Sequence, residues 1–177
     1  MAANWTAFVA GDVLTAAQLN GVVDNFADIA IFNETQANGT NGGATVANAW
    51  TKRTLNTTNV NNIAGASIAT SVITLPAGTY KVNASAPFYA GSGPLDGSKL
   101  RLQNTTAATT EIIGQSMYLG LVAQTASITL SGVFTLATSS NLELQYYVKS
   151  VQGNGLGQSS STGVSEVYAD IEITRIA

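Results

Sequence analysis

The sequence predicts a mainly β protein, an antiparallel sandwich or barrel preceded by one amphipathic helix at the N-terminus. Three observations carry that expectation. From Trp50 onward, short runs alternate apolar and polar residues and are separated by Gly-, Asn- and Ser-rich turns. A single stretch near the N-terminus repeats its apolar residues at three- and four-residue steps. Nowhere does a strand pattern alternate with a helical one, which argues against a parallel α/β fold.

The helix is read over residues 16–32. Thr15 is a good N-cap, and Gln18 three residues later completes a capping box. Leu14 and Leu19 take the two positions of a hydrophobic staple. Leu19, Val22, Val23, Phe26, Ile29 and Ala30 then form one apolar stripe, with Asp24 and Asp28 off it. Such a helix would be about 25 Å long. A lone helix of that length is marginal in water, so its stripe must pack on something.

Residues 33–49, "NETQANGTNGGATVANA", are rich in Gly, Asn and Thr and have no apolar period. This is linker composition. The expected organisation is an N-terminal segment and helix at 1–35, a linker at 36–49 and a β-domain at 50–177. Within that domain "WTKRTLN" starts the first strand, and "SIATSVITL" runs into the turn "PAG". In "TYKVNASAPFYA", Tyr80, Val82, Ala84 and Ala86 share one face. The loop "GSGPLDG" leads to "SKLRLQN", with Leu100 and Leu102 inward and Lys99, Arg101 and Gln103 outward. "TEIIGQSMYL", "ASITLSGVFTL" and "NLELQYYVKS" follow; the last opposes Leu142, Leu144, Tyr146 and Val148 to Glu143, Gln145, Tyr147 and Lys149. After "VQGNGLGQSSSTG", the closing strand "VSEVYADIEITRIA" places Val167, Ala169, Ile171 and Ile173 on one face. About eight to ten strands at this spacing suit a sandwich or barrel.

Composition removes many functions. The chain of 177 residues has no cysteine and no histidine. Thiolate or histidine metal sites and a Ser-His-Asp triad are therefore excluded. Only 10% of residues are charged, against a norm of roughly 25%, which suits a protein held in an assembly. A pI near 4.7 and the lack of a basic run argue against nucleic acid. Residues 1–40 carry four acids, Asp12, Asp24, Asp28 and Glu34, and no base; this is either a solvated face or one that seeks a basic partner. "MAANWTAF" has neither a basic n-region nor a long apolar run, so no signal peptide is expected. No apolar run approaches the roughly 20 residues of a membrane span.

Three patterns suggest chemistry. Asp170 and Glu172 share a strand face about 7 Å apart, and paired carboxylates can do acid–base work on sugars. The opposite, apolar face of that strand makes these acids solvent-facing, and carboxylates without a pocket are weak evidence. "GNGLG" at 153–157 has the glycines of a phosphate loop but neither its Lys-Ser/Thr nor a following helix, and reads as a flexible hairpin loop. Asp96 and Glu111 could contribute to a calcium site, but neither sits in an acidic cluster. No catalytic residue, metal or cofactor is expected, and the protein is read as a non-enzyme. Trp50, Tyr118, Tyr147 and Tyr168 are aromatics that could stack on a glycan or lie at a subunit contact; Tyr146 is another.

Two stretches resemble known families. "FVAGDVLTAAQLN" is similar to the N-terminal segment of small tailed-bacteriophage virion proteins of the head-fibre, decoration or tail-fibre type, through Phe8, Gly11, Asp12, Leu14, Thr15, Ala16, Leu19 and Asn20. "ITLPAGTYKVNASAPF", with "EVYADIEITRI", resembles the tumour-necrosis-factor and complement-globular jelly-roll superfamily, through Leu75, Pro76, Gly78 and Tyr80. The second resemblance implies a jelly-roll β-sandwich that forms a homotrimer. Together they imply a virion-surface protein made in the host cytoplasm, a capsid decoration or short head fibre. Its partners would be itself, a capsid or other virion protein, and in the alternative reading, a tail-fibre or adhesin tip, a host-surface glycan. Trp5, Phe8, Leu14, Leu19, Val22, Phe26 and Ile29 would then mediate attachment and oligomerisation.

Overall fold

The computed structural model describes Val13, Thr15 and residues 28–177. Residues 16–27 of the expected helix lie outside the described residues. Eleven strands are described: β1 (Ile29–Gln36), β2 (Thr51–Lys52), β3 (Thr57–Asn61), β4 (Ser67–Ala69), β5 (Val72–Leu75), β6 (Gly78–Ala90), β7 (Asp96–Asn104), β8 (Thr109–Leu119), β9 (Gln124–Leu136), β10 (Ser140–Val148) and β11 (Glu166–Arg175). They form two antiparallel sheets packed face to face. The first runs β3-β1-β11-β6-β9; the second runs β4-β5-β10-β7-β8, with β2 on β10.

The period-two reading of the main strands accounts for the core. Tyr80, Val82, Ala84, Ala86, Phe88 and Ala90 of β6 face inward. They meet Leu100 and Leu102 of β7 and Leu142, Leu144, Tyr146 and Val148 of β10 across the sandwich. Each fully buried Leu, Ile or Phe contributes about 1.5–3 kcal/mol. The "PAGTY" corner is tight for a stated reason. The Tyr80 hydroxyl donates to the Pro76 carbonyl at 2.8 Å, and a Cβ on Gly78 would come within 2.9 Å of Arg175 Nε. Tyr80 then stacks on Phe134 at 5.6 Å.

The structure departs from the sequence reading in four places. Residues 29–32, taken as the end of the helix, are strand, and β1 lies between β3 and β11. "IAIF" satisfies both periods, but Ala30 and Phe32 are fully buried against the core and β11 supplies their backbone partners. Second, the stretch read as a linker is docked. Gly42 N donates to Gly157 O, Thr45 N to Gln152 O and Asn48 N to Val148 O, so this stretch packs on the sandwich. Third, the pairing of β1 with β11 shifts between Asn33 and Thr35. That bulge turns Val167 outward, away from the face of Ala169, Ile171 and Ile173. Fourth, the second half of the 153–157 loop is packed against the sandwich. Gly155, Leu156 and Gly157 are buried, and a Cβ on Gly157 (φ +145°) would lie 2.1 Å from the Tyr168 ring.

One ion pair is sealed in the sandwich. Glu34 of β1 and Arg53 are both 0% exposed, with Arg53 Nε 3.0 Å from Glu34 Oε2. The Arg53 guanidinium also donates from Nη2 to the Leu156 carbonyl and lies 5.8 Å from the Phe88 ring centre. Burial pushes the Glu34 carboxyl above its ordinary range, partly offset by Arg53. Burial likewise lowers Arg53, opposed by Glu34. Arg53 Nη1 and Glu34 Oε1 have no well-formed hydrogen-bond partner among the described residues.

Candidate ligand-binding face

The outward face of the second sheet gathers aromatic and cationic side chains. Strand register builds it. β10 pairs with β7 so that Tyr147 lies opposite Lys99 and Gln145 opposite Arg101. β7 pairs with β8 so that Lys99 lies opposite Ser116 and Gly97 opposite Tyr118. β2 adds Thr51 and Lys52 on the far side of β10, and Trp50 immediately precedes it.

Trp50 and Tyr147 pack with ring centres 5.5 Å apart, tilted by 58°. The Arg101 guanidinium covers one side of Trp50 at 4.3 Å. It is held there by Nε donating to Gln145 Oε1 at 2.8 Å and Nη1 donating to Thr110 Oγ1 at 3.3 Å. Gln145 is fixed in turn by donating to Glu143 Oε2 at 2.6 Å. Lys52 is committed as well: it donates to the Thr70 carbonyl at 2.8 Å and sits 3.8 Å from Glu143. Beyond Tyr147, a cleft of about 290 Å³ is lined by Gly97, Ser98, Lys99, Ser116, Met117, Tyr147 and Lys149. The Lys149 stem crosses Gly97, where an added Cβ would lie 3.5 Å from its Cε. Tyr118 stands beside this row and is 71% exposed.

Of the aromatics singled out in the sequence, Trp50, Tyr118 and Tyr147 therefore share one face, while Tyr146 is buried in the core. Tyr168 does not join them. It lies in the other sheet, 6% exposed, its hydroxyl donating to the Thr40 carbonyl at 2.6 Å. That burial gives it a packing role. Among the attachment residues, Trp5, Phe8, Leu14, Leu19, Val22 and Phe26 lie outside the described residues. Ile29 is half-buried in β1. Lys99, Lys149 and Arg101 were legible only as outward-facing positions; their grouping around Tyr147 needed the register.

The other candidates do not form sites. Asp170 accepts from Ser85 Oγ across the β11–β6 pair, and Glu172 lies on the same outer face with no cleft around it among the cavities described. Asp96 and Glu111 sit toward opposite ends of the β7–β8 hairpin, roughly 20 Å apart along the strands. Asp96 accepts from Ser150 Oγ, and Glu111 from Asn104 and Thr109. Among the described residues no cluster of three or more acids, His or Cys could hold a metal, and no helix is long and apolar enough to cross a membrane. Glu166, which lines a polar hollow beside the 157–167 loop, is a staple. It accepts from Ser160 N, Ser160 Oγ, Ser161 N and Gly39 N. Those hydrogen bonds, the Ser160 amide first, lower its carboxyl pKa to about 2.

A second surface is apolar. β8 and β9, the edges of the two sheets, lie side by side. A Cβ on Gly132 would meet Ile112 at 2.8 Å, and one on Gly114 would meet the Thr129 carbonyl at 2.9 Å. Along this side Leu121, Val122 and Val133 are exposed, as is Ile113, which pairs with Arg101 at the margin of the candidate face.

No protein-family model matches the sequence, and no curated protein matches it significantly. Solved structures do match the fold. The globular domain of a zebrafish complement 1qA protein aligns at 15% identity and a TM-score of 0.51, covering 84% of this chain and 97% of its own. The Eiger TNF of S. frugiperda aligns at 12% identity and a TM-score of 0.52, covering 84% and 92%. The sandwich thus shares the jelly-roll fold of these domains. Identities this low establish the fold alone.

Proposed function

We propose that the protein is a non-catalytic, homotrimeric module of a bacteriophage virion surface, a capsid decoration or short head fibre. Residues 1–27 would attach it and the jelly roll would be the displayed head. The observation that carries the reading is the complete jelly roll that follows directly on a segment resembling virion attachment sequences. The apolar side at β8 and β9 supports self-association, since Ile113, Leu121, Val122 and Val133 would be covered by a neighbouring subunit. Sheets of small polar residues with few charges suit such packing. The test is to label intact particles with an antibody raised against residues 29–177. Regular labelling of the particle surface is expected; purified particles free of the protein would contradict the proposal.

A second reading, a glycan-binding adhesin tip, is favoured by one observation. Trp50 and Tyr147 pack together on an outward face among cations, with exposed Tyr118 of β8 at its margin.

A further inference from the structure

We infer that the cleft between β7, β8 and β10 binds a sugar ring carrying a carboxylate, with Tyr147 as the stacking platform and Lys99 and Lys149 as the anion contacts. The inference rests on the glycan-binding reading and names its ligand class.

Four of the chain's seven basic residues, Lys52, Lys99, Arg101 and Lys149, lie on this face of an otherwise acidic protein. They are not equivalent. Lys52 is occupied by Glu143 and a carbonyl. Arg101 is occupied by Trp50, Gln145 and Thr110. It acts as a positioning residue that fixes the indole, which in turn packs on Tyr147. Lys99 and Lys149 line the cleft, and among the described residues neither is in an ion pair. Two uncommitted ammonium groups beside an aromatic ring attract an anion that also presents an apolar face.

The shape narrows the class. The cleft is at the low end of ligand sites, which run roughly 300–1,000 Å³, so it suits one ring rather than a polymer track. Its outward walls are the Tyr147 ring and the lysine stems, which match the C–H face of a pyranose. Ser116, paired with Lys99 and exposed, adds a hydroxyl for a ring oxygen. The lysines are point charges without the fork of arginine, so each contacts an anionic group singly rather than bidentately. The single carboxylate of a uronic or sialic acid fits this balance. A nucleic-acid strand would need cations that continue along its backbone, and Asp96 and Glu143 bound the patch on either side.

The test uses the full chain and two matched trisaccharides, one ending in glucuronic acid and one in glucose, with binding read by ligand-detected NMR. The acidic sugar should bind at least about tenfold more tightly, the loss expected for one charge-assisted contact, and weaken as salt rises. Lys99→Gln and Lys149→Gln should each cost about tenfold without moving the thermal midpoint. Tyr147→Ala should abolish binding, and Lys81→Gln, on the other sheet, should leave it unchanged. Equal binding of both sugars would overturn the inference while leaving the glycan reading intact. Binding of neither would overturn both. An oligonucleotide that displaces the acidic sugar and binds more tightly would replace the assignment. A change in native mass for Tyr147→Ala would mark the face as a subunit contact and overturn it too.

Discussion

Arg53→Met isolates the energetics of the sealed ion pair. The substitution keeps most of the side-chain volume and removes the only cation within ion-pair distance of Glu34 among the described residues. Glu34 would remain fully buried, and an uncompensated buried charge costs about 3–5 kcal/mol. Part of that is relieved by protonation, because burial already pushes the Glu34 carboxyl upward and Arg53 is what opposes the rise. The single mutant should therefore lose about 3 kcal/mol at pH 7 and regain stability in mild acid. The sign follows from linkage: a carboxyl whose folded pKa is raised favours the fold below its unfolded value and loses that contribution as pH climbs. The double mutant Glu34→Leu with Arg53→Met should lie close to wild type or above it, since well-packed apolar replacements of buried pairs are often neutral or stabilising by about 1–4 kcal/mol. Urea unfolding followed by circular dichroism at pH 7 and pH 5 measures all three. A loss below about 1 kcal/mol for Arg53→Met at pH 7, within the range of a surface ion pair, would refute the reasoning.

Three further outcomes follow from the fold. A chain lacking residues 1–27 should unfold cooperatively as a β protein and fail to join particles, whereas one lacking residues 1–40 should not fold. The longer deletion removes β1 with Ala30, Phe32 and Glu34, and circular dichroism distinguishes the two. Gly157→Ala should destabilise by about 1–3 kcal/mol, because the backbone conformation disfavours a side chain and the Tyr168 ring occupies the space; a thermal midpoint within error of wild type would contradict it. The Glu166 staple has a depressed folded pKa of about 2, so its contribution is full above the unfolded value near 4.5 and is lost as pH falls toward 2. Hydrogen exchange of Gly39, Ser160 and Ser161 should accelerate over that window, and Glu166→Gln should remove the pH dependence.

The parts of the fold legible in the sequence are those in which one face is wholly apolar. β6, β7 and β10 alternate cleanly because their inward residues meet the opposite sheet and their outward residues meet solvent. β1 escaped because "IAIF" extends a helical stripe as readily as it starts a strand, and because its next inward residue is Glu34, a charge where the pattern expects an apolar group. Arg53 hid its partner role in the same way. β3, "TTNVN", is a polar edge strand with no inward stripe to read. The bulge that turns Val167 outward is a property of the pairing and leaves no mark in period two. The candidate face was half-legible. Trp50, Tyr147 and Tyr118 could be chosen by residue type, and Lys99 and Lys149 recognised as outward. Only the registers of β7 with β10 and β8 bring them to one cleft.

The homotrimer is tested most directly by the native mass of the intact chain in solution, measured by light scattering behind size exclusion at micromolar concentration. Three copies of the 18.2 kDa chain should elute as one species of about 55 kDa, and substituting Ile113 and Val133 with Asp should shift it toward the monomer. A wild-type chain that runs strictly at 18.2 kDa would contradict the trimeric module on which the proposed function rests.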